Sequence, residues 1–183
     1  MAGRRRIPSL LLLAALVLVA ALAAGGCGAS DNSKDVAEGE PVQLGDLSYN
    51  VIFSRYLNAN DPEDMAYLVG QPQLGRTDLY LGIFLQIQNT SSDSSAKLPS
   101  KLSIRDTQGN VYDSVPSKSL FALDLGGSIA PDDAVPVPDS TAQTGPIEGS
   151  LVIFKIPTTA TETRPLTMFI PGQDGPAQIQ LDL

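Results

Sequence analysis

The chain contains no histidine, no tryptophan and a single cysteine in 183 residues, and each absence removes a class of chemistry. Without histidine it lacks the usual general base near neutral pH and the commonest transition-metal ligand. One cysteine, Cys27, excludes disulfides within the chain, thiolate metal clusters and CxxC redox pairs. Aromatic residues make up only 5%, and the three methionines are Met1, Met65 and Met168, so there is neither a Trp platform for a sugar nor a thioether-rich copper site. Cationic side chains are scarce as well: Lys+Arg 12 against Asp+Glu 20 gives a net charge of -8. Nucleic acid is a poor partner for that balance, because phosphate binding needs clustered cations. Whatever chemistry remains falls to carboxylates, hydroxyls, amides and a few Lys or Arg.

What is present begins with an export pattern. Arg4, Arg5 and Arg6 precede an unbroken apolar run from Leu10 to Ala24, shorter than the about 20 residues a spanning helix needs. The run leads through Ala23-Ala24-Gly25-Gly26 into Cys27. This resembles the lipobox of bacterial lipoproteins, although Ala24 stands where leucine is commonest. The resemblance implies that the chain is cut before Cys27, that its sulfur carries a diacylglycerol thioether and that the new amine is acylated, with palmitate-type chains as the anchor. Two or three such chains hold a protein stably, each buried CH₂ contributing about 0.8 kcal/mol. The expected organisation is a lipoprotein signal peptide at 1–26, a lipidated Cys27 and flexible tether over 27–40, and a folded domain over 41–183. Cleavage removes three arginines and no acid, which leaves a more acidic body expected to stand off from anionic lipid.

The tether is read from composition. Gly28 to Glu40 holds Val36 as its one sizeable apolar residue, too little surface to offset the entropy of ordering. From Pro41 the period becomes two. Leu47, Tyr49, Val51 and Phe53 alternate with Ser48, Asn50 and Ile52, and Leu79, Leu81, Ile83, Leu85 and Ile87 alternate without a break, each pattern predicting a strand with one face in the core. The other face of the second strand carries Tyr80, Gly82, Phe84, Gln86 and Gln88, a mixture that predicts partial cover. Leu102 to Tyr112 predicts a hairpin, with Asp106 opening the turn and Gly109 in a left-handed position. Further strands are expected at Leu151–Ile156, Leu166–Ile170 and Ile179–Leu183. Asp61-Pro62-Glu63-Asp64 reads as the capped start of one short helix that Gly70 ends. Pro131 to Gly149 is a long proline-rich connection of the kind that carries binding in sandwiches or merely crosses between sheets. The expected fold is therefore all-β: an immunoglobulin-like β-sandwich of about seven strands with one short helix.

Three stretches carry a family resemblance. Tyr80-Leu81-Gly82-Ile83-Phe84-Leu85-Gln86-Ile87-Gln88-Asn89-Thr90-Ser91, the Leu102–Tyr112 hairpin and Ile147-Glu148-Gly149-Ser150-Leu151-Val152-Ile153-Phe154-Lys155-Ile156-Pro157 resemble a widespread group of bacterial lipoproteins and secreted proteins, often actinobacterial, with an Ig-like β-sandwich and no assigned activity. The resemblance covers roughly residues 77–183 and implies the fold more than the function.

No constellation compels catalysis, and the chain is expected not to be an enzyme. Ser94-Ser95-Ala96-Lys97 has the S-x-x-K spacing, but it sits in a polar turn between strands and reads as solvated loop. Asn58, Asn60, Asp61, Glu63 and Asp64 could offer oxygen ligands to calcium, yet helix capping explains Asp61, Glu63 and Asp64 without an ion. Asp132, Asp133 and Asp139 form a weaker candidate in the connection. Tyr56, Tyr67, Tyr80 and Tyr112 read either as an exposed surface or, more in keeping with so few aromatics, as core-edge residues. The one site residue expected is Cys27, for lipid attachment, with no catalytic, cofactor or metal residues. The function expected is that of an extracytoplasmic protein, lipid-anchored in the membrane of a bacterial cell envelope, acting as a non-catalytic binding or adaptor module for an envelope protein. The alternative is an ion- or small-ligand-binding lipoprotein using its acidic loops, for example for weak calcium binding.

Overall fold

The unbroken alternation from Leu79 to Ile87 becomes the central strand of the computed structural model, which describes residues 34–183. The export segment and Cys27 lie outside the described residues. In chain order the strands are β1 (Asp35–Ala37), β2 (Val42–Leu44), β3 (Leu47–Leu57), β4 (Asp78–Asn89), β5 (Ala96–Lys97), β6 (Ser103–Arg105), β7 (Val111–Val115), β8 (Ser128–Ile129), β9 (Ala134–Val135), β10 (Ser150–Pro157), β11 (Thr167–Ile170) and β12 (Ala177–Gln180). Two short helices, α1 (Pro62–Tyr67) and α2 (Thr141–Thr144), and a 3₁₀ segment (Thr158–Glu162) complete the elements.

One hydrogen-bonded path runs β1-β12-β11-β6-β7-β10-β4-β3-β2, with β9 added beside β4 and a small β5–β8 pair apart. The path doubles over near β7. Ile104, Met168 and Ile179 from one arm and Leu81, Ile83, Leu85, Val152 and Phe154 from the other are thereby buried in one core. Each such side chain stabilises the fold by roughly 1.5–3 kcal/mol through loss of apolar surface to water. This is a β-sandwich, as expected; it is built from more and shorter strands than seven, and α2 adds a second helix inside the proline-rich connection.

The expected hairpin is present, with Ile104 opposite Tyr112 and Arg105 opposite Val111. Gly109 has φ +86°, a backbone that a residue with a Cβ occupies only at a cost. The carboxylate of Asp106 organises the turn. Its Oδ1 accepts from the backbone N–H groups of Gln108 (3.0 Å) and Asn110 (2.9 Å). Its Oδ2 accepts from Asn110 Nδ2 (2.9 Å), Tyr112 Oη (3.0 Å) and Thr163 Oγ1 (3.0 Å). Burial disfavours the charged form, but these donors outweigh it and hold the Asp106 pKa down at about 2.

Two departures from the sequence reading have clear causes. The domain begins before Pro41, because β1 pairs in parallel with β12 and places Val36 beside Ile179. Residues 35–40, read from composition as tether, are held by hydrogen bonds together with the packing of Val36 against the core. Glu38 is the clasp. Its carboxylate accepts from Ser54 N (2.8 Å), Ser54 Oγ (2.5 Å) and Asp182 N (3.0 Å), which ties the outer edge of β3 to the residues after β12. Gly39 N donates to Val51 O at 2.8 Å. The edge of β3 thus meets a carboxylate and a folded-back segment, which blunts it against strand addition.

The second departure is Phe53, expected to follow Leu47, Tyr49 and Val51 into the core. The register slips between Val51 and Phe53, so Ile52 is the extra residue of a β-bulge and every later side chain changes face. Phe53 consequently stands opposite Phe84 on the outer face and is 44% exposed, while Ser54 and Tyr56 turn inward.

Candidate functional site

The outer face of β3, β4 and β10 divides into two regions. Towards the start of β4 it is apolar: Leu57, Tyr80, Phe84, Leu151 and Ile153 form a second buried cluster with Tyr67 and Leu68. α1 and the 115–121 segment cover it. The Tyr67 ring meets Phe84 and Phe121 edge-to-face at 5.1 and 4.8 Å, geometry that such rings favour. Ser119 Oγ donates to Ala66 O at 2.8 Å, and Gln71 Nε2 donates to Pro116 O at 2.6 Å. The cover is therefore stitched together as well as packed.

Towards the end of β4 the same face is polar and open. Ser48 stands opposite Gln88 and Asn50 opposite Gln86. These four side chains, with Pro41, Ala134–Pro136, Gln143 and Glu148, line a groove of about 310 Å³, at the small end of ligand-site volumes. The proline-rich connection forms one wall, and both of its ends are fixed. At the first, buried Asn89 places its side-chain NH₂ 2.8–3.1 Å from the carbonyls of Ser94, Ile129 and Ala130, and Val135 pairs with Ile87. At the second, Gln86 Nε2 donates to Glu148 O at 3.0 Å. Gly149 lies so close to β4 that a Cβ there would come within 2.9 Å of the Phe84 Cβ. Within this fixed frame several groups are unspent. Asn50 Oδ1 is screened from solvent and has no hydrogen-bond partner, and Ser48, Gln88 and Gln143 make no side-chain hydrogen bond among the described residues.

A wider cleft of about 830 Å³ opens between the β2–β3 turn, β5 and the 171–174 turn. Its polar rim is already engaged in part: Gln43 Nε2 donates to Gly45 O (2.7 Å) and Thr90 Oγ1 (3.0 Å), and Thr90 N donates to Asp46 O at 2.7 Å.

The other residues singled out from sequence fall into structural roles. Asp61 caps α1, accepting from Glu63 N (2.9 Å) and Asp64 N (3.3 Å). Asp64 is buried, accepts from Asn58 N at 2.7 Å and pairs with the Arg55 guanidinium, which also reaches Glu63 at 3.4 Å. The acids of this segment thus serve the helix start and one ion pair. No group of three or more acidic or Cys side chains able to hold a metal ion occurs among the described residues. Ser94 Oγ lies 2.9 Å from Ser91 Oγ and 3.4 Å from Asp46 Oδ2, in the turn after β4. Tyr67 is fully buried, Tyr80 Oη donates to Pro72 O at 2.9 Å and Tyr112 Oη donates to Asp106. Burial raises the Tyr56, Tyr67 and Tyr80 phenols and takes that of Tyr49 to about 12. The tyrosines are parts of the core and its edge, not an exposed surface.

Of the groove residues, Ser48 and Asn50 entered the sequence analysis only as alternating strand positions, and Gln143 did not enter it. Their signal was faint: the outward positions of β3 and β4 change from apolar to amide at Gln86. No described helix is long and apolar enough to cross a membrane.

No family model matches the chain, and no curated protein is similar to it in sequence. Solved structures share its shape. The yjhA protein from Bacillus subtilis is 16% identical with a TM-score of 0.53, over 80% of this chain and 99% of that one. A β-sandwich protein from Clostridium difficile 630, described as uncharacterized, is 14% identical with a TM-score of 0.50, over 82% of this chain and 95% of the other. At such identities the likeness speaks for the fold alone. The chain is a β-sandwich protein, and a bacterial protein described as a β-sandwich is among the solved structures whose fold it resembles.

Proposed function

We propose that this chain is a lipoprotein of the bacterial cell envelope, of the actinobacterial type, anchored outside the cytoplasm through lipid on Cys27, and that its sandwich is a non-catalytic binding or adaptor module working through the groove over β3 and β4. The observation that carries the reading is the row of Ser48, Gln88 and Gln143, whose side chains make no hydrogen bond among the described residues, within a frame fixed at both ends. The rigid wall favours binding without reorganisation. With Asp61, Glu63 and Asp64 engaged at the start of α1 and the tyrosines in the core and its edge, the amides of the groove and Glu148 are groups available for recognition.

In-cell crosslinking followed by mass spectrometry tests this reading, using the wild type, Cys27→Ser and a groove-blocking Ser48→Trp. The expected result is one envelope protein joined to the wild type and lost with Ser48→Trp, with Cys27→Ser released from the membrane. An unchanged crosslink in Ser48→Trp overturns the groove, and membrane retention of Cys27→Ser with its signal cut overturns the anchor.

A further inference from the structure

The floor of the groove is two cross-strand rows of uncharged donor–acceptor side chains, Ser48 with Gln88 and Asn50 with Gln86. Gln86 and Gln88 lie two residues apart on one strand, about 6.6–6.8 Å. That is the repeat at which an extended chain presents successive peptide groups in the same orientation. A carboxamide can donate to a peptide carbonyl and accept from a peptide N–H at once. Gln88 has both of its functions free, and Gln86 has its oxygen free while its Nε2 holds Glu148 O.

Charge narrows the occupant further. No Lys or Arg lines the groove, whereas Glu148 does. The Glu148 carboxylate is exposed and forms no ion pair among the described residues. Phosphates and acidic segments are repelled, and a cation is attracted at that end of the groove. No aromatic side chain lines it for a sugar ring to stack on. Pro41 and Pro136 supply apolar contact for alternate side chains instead.

Resting on the groove being the binding site, we infer that its occupant is an extended polypeptide segment, uncharged over the two amide rows and carrying a lysine or arginine where it passes Glu148. The test uses the full chain in detergent micelles and two probes, a phage-displayed random dodecapeptide library and a soluble oligomer of N-acetylglucosamine. Enriched peptides should carry a basic residue, bind the Gln86→Ala/Gln88→Ala double variant roughly tenfold more weakly, and lose a smaller factor with Glu148→Gln. Gln88→Lys removes no hydrogen bond within the protein and should also suppress their binding, which separates recognition from folding. Enrichment of acidic peptides, or undiminished binding to the double variant, overturns the inference. Amide-dependent binding of the sugar oligomer with no enriched peptide overturns the ligand class and leaves the groove standing. Binding of neither probe overturns both.

Discussion

One sheet face carries two regions that share β3 and β4 and are finished in opposite ways. Around Phe84 the outward side chains are large and apolar, and the chain returns as α1 and the 115–121 segment to cover them. Around Gln86 and Gln88 they are amides, and the chain returns as a wall beside them rather than a lid over them. Cover follows composition, because apolar surface gains by exclusion of water, whereas an amide gains nothing from burial without a partner. A protein that needed the second region only for stability would gain by making it apolar and closing it. The unspent acceptors there point to a surface kept for something outside the chain.

The largest test of this contrast is Phe84→Ala. Phe84 is fully buried between the sheet and Tyr67, so truncation should cost about 3–5 kcal/mol, read as a lower midpoint in denaturant unfolding. A loss below about 1 kcal/mol would mean that the cover is loosely packed and the two regions differ less than their composition implies.

Asp106 sharpens the contrast from the polar side. It too is a buried polar group, but five donors meet its carboxylate, while Asn50 Oδ1 meets none. Asp106→Ala should cost about 1–3 kcal/mol by stranding those donors. The folded pKa of about 2 lies below the ordinary 3.8, so the carboxylate's stabilisation is present above that ordinary value and is lost as pH falls towards 2. Thermal melts between neutral pH and pH 2 should therefore converge for the wild type and Asp106→Ala at the acid end. Parallel melts across the range would show that the hydrogen bonds are worth the same to the protonated acid.

These comparisons also explain what could be read in advance. The strand at Leu79–Ile87 and the Asp106–Gly109 turn were legible because period two and a left-handed glycine are local signals. The partial cover of the outward face was legible for the same reason, from Tyr80 and Phe84 against Gln86 and Gln88. The bulge at Ile52 was not, since a run of Val51, Ile52 and Phe53 gives no local mark of which residue is extra. Nor was β1, whose order depends on Gln178 to Gln180 and on Ser54 and Asp182, far away in sequence. The groove fell between these cases: Gln86 and Gln88 were visible as outward residues, but Gln143 and Glu148 join them only because Asn89 and Gly149 fix both ends of the connection.

The smallest expected effect decides most directly whether the polar region is structural. Gln88 is exposed and makes no side-chain hydrogen bond among the described residues, so Gln88→Ala should change stability by no more than about 0.5 kcal/mol. Gln88→Val should be neutral or slightly stabilising, because valine suits a strand and fills the same pleated surface. Both are read from chemical denaturation at fixed protein concentration. A cost above about 1 kcal/mol for either variant would place Gln88 in the support of the fold, and the open half of the sheet would then be a second stabilising region. Near-zero costs, set beside the loss at Phe84 two rows away, would separate the residues that hold this sheet together from those left free to meet a partner.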